Sequence, residues 1–312
     1  MKVCFIGACG HWEQAYQYLK TRNDITFCGF APGCPEENQI DSIDKTITYF
    51  TDYRTMLDKV KPELAIISPI FALTGQIIIE CANRGIDVFS EKPIASSFEE
   101  LNQVESAVSK NGIKFCAMHS LRFEPAFFFA AEMVKEGKLG KLQMITAQKS
   151  YKYGTRPDWY SVPNLYGGTI LWVGIHAIDW IAHFSGKRFV SVMAQSVGNC
   201  PEMAALCQFK LDDNVIASVN IDYYRPETAT THGDDRIRCV GTKGVLEVCG
   251  GKVLLVSQDG VVEYHPNSSP NLLAEFLADN ILISKEELFY ITKVAIAANE
   301  SAKTEKIIMI GD

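Results

Sequence analysis

The sequence lacks the features that mark nucleic-acid-binding, membrane-spanning and secreted proteins. Its 312 residues carry 30 Lys and Arg against 37 Asp and Glu, and the net charge of −7 provides no positive field that would displace counterions from a nucleic acid. No apolar run approaches the about 20 residues of a membrane-spanning helix, and the first residues read as a strand and turn rather than a signal peptide. We therefore expect a cytoplasmic protein without nucleic-acid or membrane partners.

Paired cysteines are also missing. The ten cysteines stand singly, without a C-x-x-C pair of the kind that binds zinc, at positions 4, 9, 28, 34, 81, 116, 200, 207, 239 and 249. Cys28, Cys116 and Cys239 fall in apolar, strand-like segments. Single buried thiols are typical of proteins kept in a reducing compartment, so we predict neither disulfides nor a metal site.

The first 118 residues alternate short apolar strands with helical stretches. The strands are expected at Lys2–Ile6, Ile25–Phe30, Leu64–Ser68, Asp87–Ser90 and Lys114–Met118, and the helices at Trp12–Thr21, Thr51–Lys59, Gly75–Arg84 and Phe98–Asn111. Continuous apolar strands separated by helices indicate a parallel sheet covered on both faces. Right-handed crossovers make this a doubly wound, dinucleotide-binding (Rossmann) sheet, which we predict for residues 1–118.

The second part, residues 119–312, has a different pattern of predicted secondary structure. After a helix near Pro125–Glu136, strand-like segments follow one another with polar turns between them, at Leu142–Ser150, Val190–Val197, Ala204–Lys210, Asn214–Tyr223, Ile237–Gly241, Val245–Val248, Lys252–Ser257 and Gly260–Tyr264. A helical insert at Ile170–Phe184 and a terminal helix near Lys285–Ala302 complete the pattern. This predicts an α+β domain built on a large, mostly antiparallel sheet.

The turn after the first strand is a candidate site for the phosphates of a dinucleotide. It reads Gly7-Ala8-Cys9-Gly10-His11-Trp12. A dinucleotide fingerprint has glycine or a small residue at its first, third and sixth places, where this turn has Gly7, Cys9 and Trp12. The following helix still offers backbone N–H groups and a positive dipole, so we predict that these six residues bind the cofactor. A plain strand-to-helix turn, with an exposed His11 that has no role, is the alternative.

The end of the second strand does not choose between NAD and NADP. Ala31 stands near the place of the acidic residue that would bind an adenosine ribose. No neighbouring arginine is present to accept a 2′-phosphate. The cofactor is therefore predicted only as NAD or NADP.

Lys92 is the first candidate catalytic residue. It follows the apolar strand Asp87–Ser90, so it points into the crevice where parallel sheets bind their ligands. Its positive charge can polarise a carbonyl and stabilise a developing alkoxide. The alternative is a lysine that only pairs with Glu91.

His176 is the second candidate catalytic residue. It lies four residues after Trp172 and three before Asp179, so we expect one helix face to carry all three. A histidine on that face can take the proton of a hydroxyl group as hydride leaves. Asp179 would orient the imidazole or bind a substrate hydroxyl. A core histidine satisfied by local hydrogen bonds is the alternative.

Several motifs occur in a fixed order along nearly the whole chain. They are Ser68-Pro69, Glu91-Lys92-Pro93, Arg122-Phe123-Glu124-Pro125 followed by Gly137-Lys138-Leu139-Gly140, Gly167–Asp179, and Gly241-Thr242-Lys243-Gly244-Val245-Leu246-Glu247. This order and spacing resemble the Gfo/Idh/MocA family, the relatives of glucose–fructose oxidoreductase and inositol dehydrogenase. The resemblance implies that Lys92 reaches the nicotinamide and the reacting hydroxyl. Further cofactor contacts are expected from Ser68, Pro69, Glu91 and Arg122, and substrate contacts from Lys92, Trp172, His176, Asp179 and Tyr153.

The chain departs from the family pattern at two positions. Trp172 stands where family enzymes commonly carry an aspartate, and Leu73 stands near the place of a cofactor-side histidine. A tryptophan cannot accept a proton, although it can stack against the C–H face of a sugar. Lys92 and His176 would then act alone, or a nearby residue would substitute for the aspartate: Asp158, Tyr151, Tyr153 or Tyr160. The stretch 151–160 is alternatively an interdomain loop or a subunit contact.

These features lead to one main hypothesis and one alternative. The main hypothesis is an NAD(P)-dependent oxidoreductase that acts on a secondary hydroxyl or carbonyl group of a sugar, polyol or sugar derivative. The alternative is a catalytically inactive sensor or regulator of the same fold that binds a dinucleotide or a sugar. By the same resemblance, and because apolar residues alternate in Val215–Tyr223, we expect a homodimer or homotetramer formed through the C-terminal sheet.

Overall fold

The computed structural model describes residues 1–37 and 44–311, which form two units. Unit 1 holds Met1–Met118, Asn164–Gly167 and Leu273–Thr292. Unit 2 holds His119–Pro163, Gly168–Leu272 and Lys293–Asp312. The predicted division into 1–118 and 119–312 does not assign the two later segments to the first domain, because nothing in their composition marks the return of the chain.

Five parallel strands form the sheet of unit 1: β1 Lys2–Ile6, β2 Thr26–Ala31, β3 Leu64–Ile67, β4 Asp87–Ser90 and β5 Phe115–Ala117. Their order across the sheet is β2-β1-β3-β4-β5, and a parallel bridge from Phe30 to Tyr49 extends the sheet beyond β2. The chain order reverses between β1 and β3, so their carboxyl ends border the crevice in which such sheets bind ligands. The predicted doubly wound parallel sheet is confirmed.

Four helices connect these strands: α1 Trp12–Leu19, α2 Tyr53–Val60, α3 Thr74–Ala82 and α4 Phe98–Asn111. Asp52 begins α2, because its side chain accepts a hydrogen bond from the N–H of Thr55 at 2.7 Å. Ser97 begins α4 in the same way, accepting from the N–H of Glu100 at 3.2 Å. Gly112 ends α4 with a φ of +64°, which glycine adopts without a Cβ clash.

Nine strands form the sheet of unit 2: β6 Leu142–Tyr151, β7 Phe189–Val197, β8 Ala204–Leu211, β9 Ile216–Asp222, β10 Gly233–Gly241, β11 Gly244–Cys249, β12 Lys252–Ser257, β13 Gly260–Tyr264 and β14 Ile308–Met309. Their order is β13-β12-β11-β10-β6-β9-β8-β7-β14, and all neighbours pair antiparallel except β6 and β9. Buried and exposed residues alternate along β8 and β9, so one sheet face packs on the core. The predicted mostly antiparallel sheet is confirmed.

The helices of the second half are α5 Pro125–Lys135, α6 Pro163–Tyr166, α7 Ile175–Ser185, α8 Leu272–Leu277 and α9 Lys285–Thr304. A π-helical turn, Ile170–Gly174, leads into α7. In unit 2, Phe127 of α5 stacks on Trp180 of α7 with ring centroids 4.2 Å apart. The helical stretch Pro163–Ser185 is long and apolar enough to cross a membrane by length and composition, and 83% of its most apolar window is buried in the structure. The helical insert predicted at Ile170–Phe184 lies within this stretch.

Two of these later elements contribute to the core of unit 1. Phe276 of α8 packs on Phe89 with ring centroids 5.6 Å apart, and Phe289 of α9 stacks on Phe115 at 5.7 Å. The segment between α8 and α9 supplies Asp279, which pairs with Lys114. Side chains from residues 273–292 therefore cover one edge of the parallel sheet.

Candidate functional site

Unit 1 brings the turn after β1 against the turn after β3. Gly7 has a φ of +78°, and a Cβ at this position would lie 2.4 Å from the Cα of Pro69, so only glycine fits. The N–H of Cys9 donates to the carbonyl oxygen of Ser68 at 2.8 Å, and the N–H of Gly10 donates to the Ser68 hydroxyl oxygen at 3.0 Å. These five predicted cofactor residues therefore meet at the carboxyl ends of β1 and β3.

Glu91, at the end of β4, lies at the N-terminus of α1. Its Oε1 accepts a hydrogen bond from the N–H of His11 at 2.6 Å and lies 2.5 Å from His11 Nδ1. Burial alone would raise the pKa of Glu91, but the charges of His11 and Lys92 and the hydrogen bonds from His11 outweigh it and hold the pKa at about 2. Lys92 is 2% exposed, and its Nζ lies 4.0 Å from Glu91 Oε2. The pairing of Lys92 with Glu91 that the sequence leaves open is thus present, at the outer limit of an ion pair.

The hydrogen-bond partners of the N–H groups in the turn after β1 differ from those predicted. They are expected to face a phosphate, whereas those of Cys9, Gly10 and His11 donate within the protein, to Ser68 and Glu91. The reason is that Ser68 and Glu91 end neighbouring strands and reach the same helix end. A dinucleotide phosphate at this end of α1 would compete with the Glu91 carboxylate for the same donors. The imidazole of His11, 47% exposed, and the positive end of the α1 dipole would still face it.

The side chain of Trp12 belongs to an aromatic cluster of unit 1. Trp12 is buried, and its ring lies 6.2 Å from that of Phe5 and 6.1 Å from that of Tyr16, centroid to centroid. Phe27 extends this cluster, 5.5 Å from Phe5. The large residue at the sixth place of the fingerprint, Trp12, is therefore accommodated in the core. Its side chain packs there, and the preceding Ala8 is also buried.

Glu37 is a buried carboxylate that the sequence reading missed. Its Oε2 accepts from the N–H of Gly33 at 2.9 Å, and its Oε1 accepts from the N–H of Ile70 at 2.7 Å. Burial raises the pKa of Glu37 to about 7, against the opposing effect of these hydrogen bonds and one from the Cys9 thiol. A glutamate in a loop with two prolines gives no sequence signal of burial, so only the folded loop reveals it.

Unit 2 gathers five titratable or charged side chains around α7. Asp179 accepts two hydrogen bonds from the guanidinium of Arg122, one of them from Nε at 3.0 Å. His119 Nδ1 lies 3.4 Å from Asp179 Oδ1, and the His119 ring meets the His176 ring edge to face, with centroids 6.2 Å apart at 72°. His183 Nδ1 lies 3.4 Å from Arg122 Nη1 on the other side. His119 thus contacts both His176 and Asp179.

Burial and the neighbouring charges together set the ionisation of two members of this cluster. Burial would raise the pKa of Asp179, but Arg122 and His119 hold it far below its ordinary range. Burial lowers the pKa of His183 to about 3, and the positive charge of Arg122 acts in the same direction. Asp179 is therefore ionised and His183 neutral at pH 7. Within the described chain, neither ring nitrogen of His119 makes a hydrogen bond.

The partners of Arg122 and Asp179 in the structure differ from those that the sequence predicts. The sequence assigns Arg122 to the cofactor and Asp179 to His176 or a substrate hydroxyl, whereas the structure pairs Arg122 and Asp179 with each other. A buried carboxylate requires a cation, and Arg122 supplies one in bidentate geometry. His119 was missed, although it stands only three residues before the motif that begins at Arg122. The roles assigned to Arg122 and Asp179 remain predictions.

The two positions at which the chain departs from the family pattern carry buried or half-buried apolar side chains. Leu73 ends the 3₁₀ turn Phe71–Leu73 in unit 1 and is half-buried, so it brings no acid or base there. Trp172 is buried within the π-helical turn of unit 2. Because Trp172 lies in this turn and His176 in the α-helix that follows it, the four-residue spacing does not place them as it would in an α-helix. The shared helix face applies to His176 and Asp179, which both lie in α7.

The loop after β6 surrounds an arginine with tyrosines. The guanidinium of Arg156 lies 5.2 Å from the ring centroid of Tyr160, 5.7 Å from that of Tyr223 and 5.9 Å from that of Tyr153. Tyr153 also meets Tyr223 edge to face at 5.5 Å. Asp158, one of the proposed substitutes for the missing aspartate, is exposed. Tyr153 thus lies in an aromatic and cationic group of unit 2.

The cysteines, the possible metal ligands and one buried lysine complete the description of the chemically reactive side chains. All ten cysteines carry free thiols, with Cys116 and Cys239 buried and Cys28 half-buried. Across residues 1–37 and 44–311, no group of three or more His, Cys, Asp or Glu side chains is placed to hold a metal ion. Lys149 of β6 is fully buried, pairs with Asp235 at 2.6 Å and has a pKa lowered by burial to about 8.

The fold is that of a Rossmann unit followed by a unit with a large, mostly antiparallel sheet, and the comparison with known families agrees. A model described as the GFO/IDH/MocA oxidoreductase family, NAD-binding Rossmann fold, matches residues 1–119. A model of the GFO/IDH/MocA C-terminal domain matches residues 127–247. A solved structure from Thermotoga maritima, whose own assignment as an oxidoreductase is provisional, is 38% identical with a TM-score of 0.94, covering 99% of this chain and 100% of its own. The chain belongs to the Gfo/Idh/MocA family, as its motifs predict.

Curated relatives are more distant. A 2,7-anhydro-N-acetylneuraminate hydratase of Mediterraneibacter gnavus is 25% identical over 154 residues, which are 49% of this chain and 41% of the relative. A scyllo-inositol 2-dehydrogenase (NAD(+)) of Bacillus subtilis is 25% identical over 207 residues, which are 62% of this chain and 57% of the relative. This chain therefore matches these relatives over about two fifths to three fifths of their own length.

Proposed function

We propose that the protein is an NAD(P)-dependent oxidoreductase that transfers a hydride between nicotinamide and a secondary hydroxyl or carbonyl group of a sugar, polyol or sugar derivative. The observation that carries this proposal is the buried Glu91–Lys92 pair at the end of β4, within a domain that matches the NAD-binding family model. Relatives that act on an inositol and on a sialic acid derivative support the class of substrate.

Lys92 and His176 are the proposed catalytic residues. The ammonium group of Lys92 would polarise the reacting carbonyl or stabilise the alkoxide that forms as the hydroxyl loses its proton. His176 would accept that hydroxyl proton in oxidation and return it in reduction. When bound, nicotinamide supplies the acceptor or donor of the hydride. Tyr153, Trp172 and Asp179 remain proposed substrate-binding residues.

His119 is the proposed positioning residue for His176. Its ring packs edge to face on His176 while its Nδ1 faces the ionised Asp179. The family aspartate that would sit beside the catalytic histidine is replaced by Trp172. An imidazole that faces a carboxylate and packs on a second imidazole can fix the orientation of that second ring. His119 and Asp179 would thus take over the orienting part of the missing aspartate.

A turnover assay with a cofactor-binding control tests this function. Wild-type protein is incubated with NAD or NADP and a panel of inositols, aldoses and sugar derivatives, and nicotinamide absorbance is followed. We expect turnover with at least one member, complete loss of turnover in Lys92→Ala, and retained binding of NADH by that variant. The absence of turnover on the whole panel, with NADH bound normally, would favour the inactive sensor. The comparisons give this alternative no support.

We also propose cytoplasmic localisation and a homodimer or homotetramer formed through the sheet of unit 2. The support for assembly is the exposed face of that sheet, where several large apolar side chains lie: Val197, Leu206, Ile216, Val256, Val261 and Met309. Light scattering after size exclusion measures the mass in solution. A mass of 34.7 kDa at micromolar concentration would contradict the assembly.

A further inference from the structure

Arg156 is a half-buried cation of unit 2 that pairs with no carboxylate across residues 1–37 and 44–311. In that part of the chain its guanidinium makes one hydrogen bond, from Nη2 to the carbonyl oxygen of Lys152 at 3.3 Å, and its buried Nε has no acceptor. A guanidinium carries five N–H donors, so most of those of Arg156 are uncommitted. The three tyrosine rings around it offset the loss of water only in part, because each contributes a cation–π contact and no acceptor for a strong hydrogen bond.

The charges next to Arg156 make this part of unit 2 positive, although the whole chain is acidic. Lys152 donates to two backbone carbonyl oxygens, at 2.8 and 2.6 Å, and to no carboxylate of the described chain. The negative charge of Asp235 is met by Lys149 at 2.6 Å. Burial lowers the pKa of His232, and the positive charges of Arg156 and Lys152 act in the same direction. A ligand with a negative charge would therefore be stabilised beside Arg156.

This positive group lies on the sheet face that carries the proposed catalytic helix. A Cβ on Gly174 would lie 2.5 Å from Cδ1 of Ile221, so the N-terminal end of α7 packs against β9. Tyr223 stands two residues further along, so its side chain points to the same face, about 7 Å from Ile221. The ring of Tyr223 lies 5.7 Å from the Arg156 guanidinium. His176 is the second residue of α7, and it therefore lies at the same end of this face.

A carboxylate matches these surroundings better than a phosphate does. A carboxylate is planar, carries one negative charge and accepts two parallel N–H donors from one guanidinium. A phosphate monoester carries about two negative charges at pH 7. Arg156 supplies one positive charge, and the ammonium group of Lys152 is already held by two carbonyl oxygens.

We propose that Arg156 binds the carboxylate of a sugar acid, so that the substrate is an aldonic or uronic acid or a derivative of one. Two N–H groups of the guanidinium hold the carboxylate, while His176 exchanges the proton of a secondary hydroxyl group of the same molecule. This inference rests on the proposed oxidoreductase function and names the class of its substrate.

Turnover of matched acidic and neutral sugars by the full chain, with NAD or NADP, tests the inference. D-Glucuronate and D-galacturonate are compared with their uronamides, and D-gluconate with D-glucitol. We expect kcat/KM to be about tenfold or more higher for the acid of a pair, which is the effect of a hydrogen bond between charged groups. D-Glucose 6-phosphate is expected to be no better a substrate than D-glucose.

Three variants assign this preference to one side chain. Arg156→Gln should raise KM for the acid about tenfold, with little change in kcat and no change for the neutral partner. Arg156→Lys keeps the charge but loses the two parallel donors, so an intermediate preference is expected. Arg22→Gln removes an exposed arginine of unit 1 that pairs with Asp24, and it should leave the preference unchanged.

Each outcome separates the inference from the function on which it rests. Equal kcat/KM for acid and neutral partner, a preference that persists in folded Arg156→Gln, or a preference for D-glucose 6-phosphate over D-glucuronate would overturn the role of Arg156 and leave the oxidoreductase intact. If Arg156→Gln does not fold, the comparison of D-glucuronate with D-glucuronamide on wild type decides.

Titration calorimetry covers the case in which no sugar is turned over. That result would contradict the proposed function, and the same pair of ligands is then titrated into the protein with NADH bound. Tighter binding of D-glucuronate than of D-glucuronamide would still support the carboxylate site. Equal binding, or none, would overturn it.

Discussion

Replacement of Glu91 by glutamine would remove a buried negative charge that both His11 and Lys92 face. The folded protein holds the pKa of Glu91 at about 2 against an ordinary value of 4.5. Because the folded pKa is the lower one, the carboxylate stabilises the fold fully above pH 4.5, and this contribution is lost as the pH falls towards 2. The difference corresponds to about 3 kcal/mol at pH 7 and to about 2 kcal/mol at pH 3.5.

Urea unfolding of wild type and Glu91→Gln at pH 7, 5 and 3.5, followed by circular dichroism, measures this contribution. We expect the variant to be about 3 kcal/mol less stable at pH 7, with a difference that shrinks by about one third at pH 3.5. Glu13→Gln is the matched control, because Glu13 is exposed in the first turn of the same helix. Its effect should stay within about 0.5 kcal/mol at each pH.

Two results would refute this reasoning. The first is a Glu91→Gln variant whose free energy of unfolding at pH 7 matches that of wild type, since it would mean that the ion pairs with His11 and Lys92 only offset the cost of burial. The second is a loss of stability that is independent of pH, which would point to packing rather than charge.

Three further substitutions test other parts of the structure. His119→Phe keeps a ring beside His176 but removes both ring nitrogens. We therefore expect kcat to fall about tenfold, with a shifted pH profile of activity and an unchanged KM. The control His183→Asn should leave the pH profile unchanged. Asp179→Asn leaves the buried guanidinium of Arg122 without its carboxylate and should cost about 3–5 kcal/mol in urea unfolding. Gly7→Ala forces a Cβ within 2.4 Å of backbone at a φ of +78°, so we expect a clear drop in Tm and lost NADH binding, and a Tm equal to wild type would contradict the contact.

The fold could be predicted from the sequence because its two strand patterns are local. Unit 1 has continuous apolar strands, and the sheet of unit 2 has strands in which apolar and polar residues alternate. Apolar strands such as Leu64–Ile67 are buried on both faces, and the alternating pattern of β8 and β9 matches one buried and one exposed face. The two-residue strand β14 has no period to detect. The assignment of residues 273–292 to unit 1 depends on contacts with Phe89 and Phe115 that lie far away in the chain.

The candidate site was predictable where a motif fixes the residue and its strand end, as for Gly7, Ser68 and Lys92. Glu37, His119 and Lys149 were missed because their importance comes from burial, and a charged residue in a loop or strand gives no local sign that it is buried. The partners of Arg122 could not be predicted either, because Asp179 is 57 residues away along the chain. Sequence motifs located the elements of the site, and tertiary packing set the charge of its members.

The return of residues 273–292 to unit 1 affects how the protein is made. A ribosome that has finished β5 must still add the residues up to Phe289 before both aromatic rings can cover Phe89 and Phe115. At the usual speed of synthesis this takes roughly 10–30 s. During that time the edge of the nascent parallel sheet faces water or a chaperone, and a protein cut after residue 118 would keep it exposed permanently. Production of the dinucleotide-binding domain by itself would therefore require the distant segment to be supplied, for example by fusing it behind residue 118.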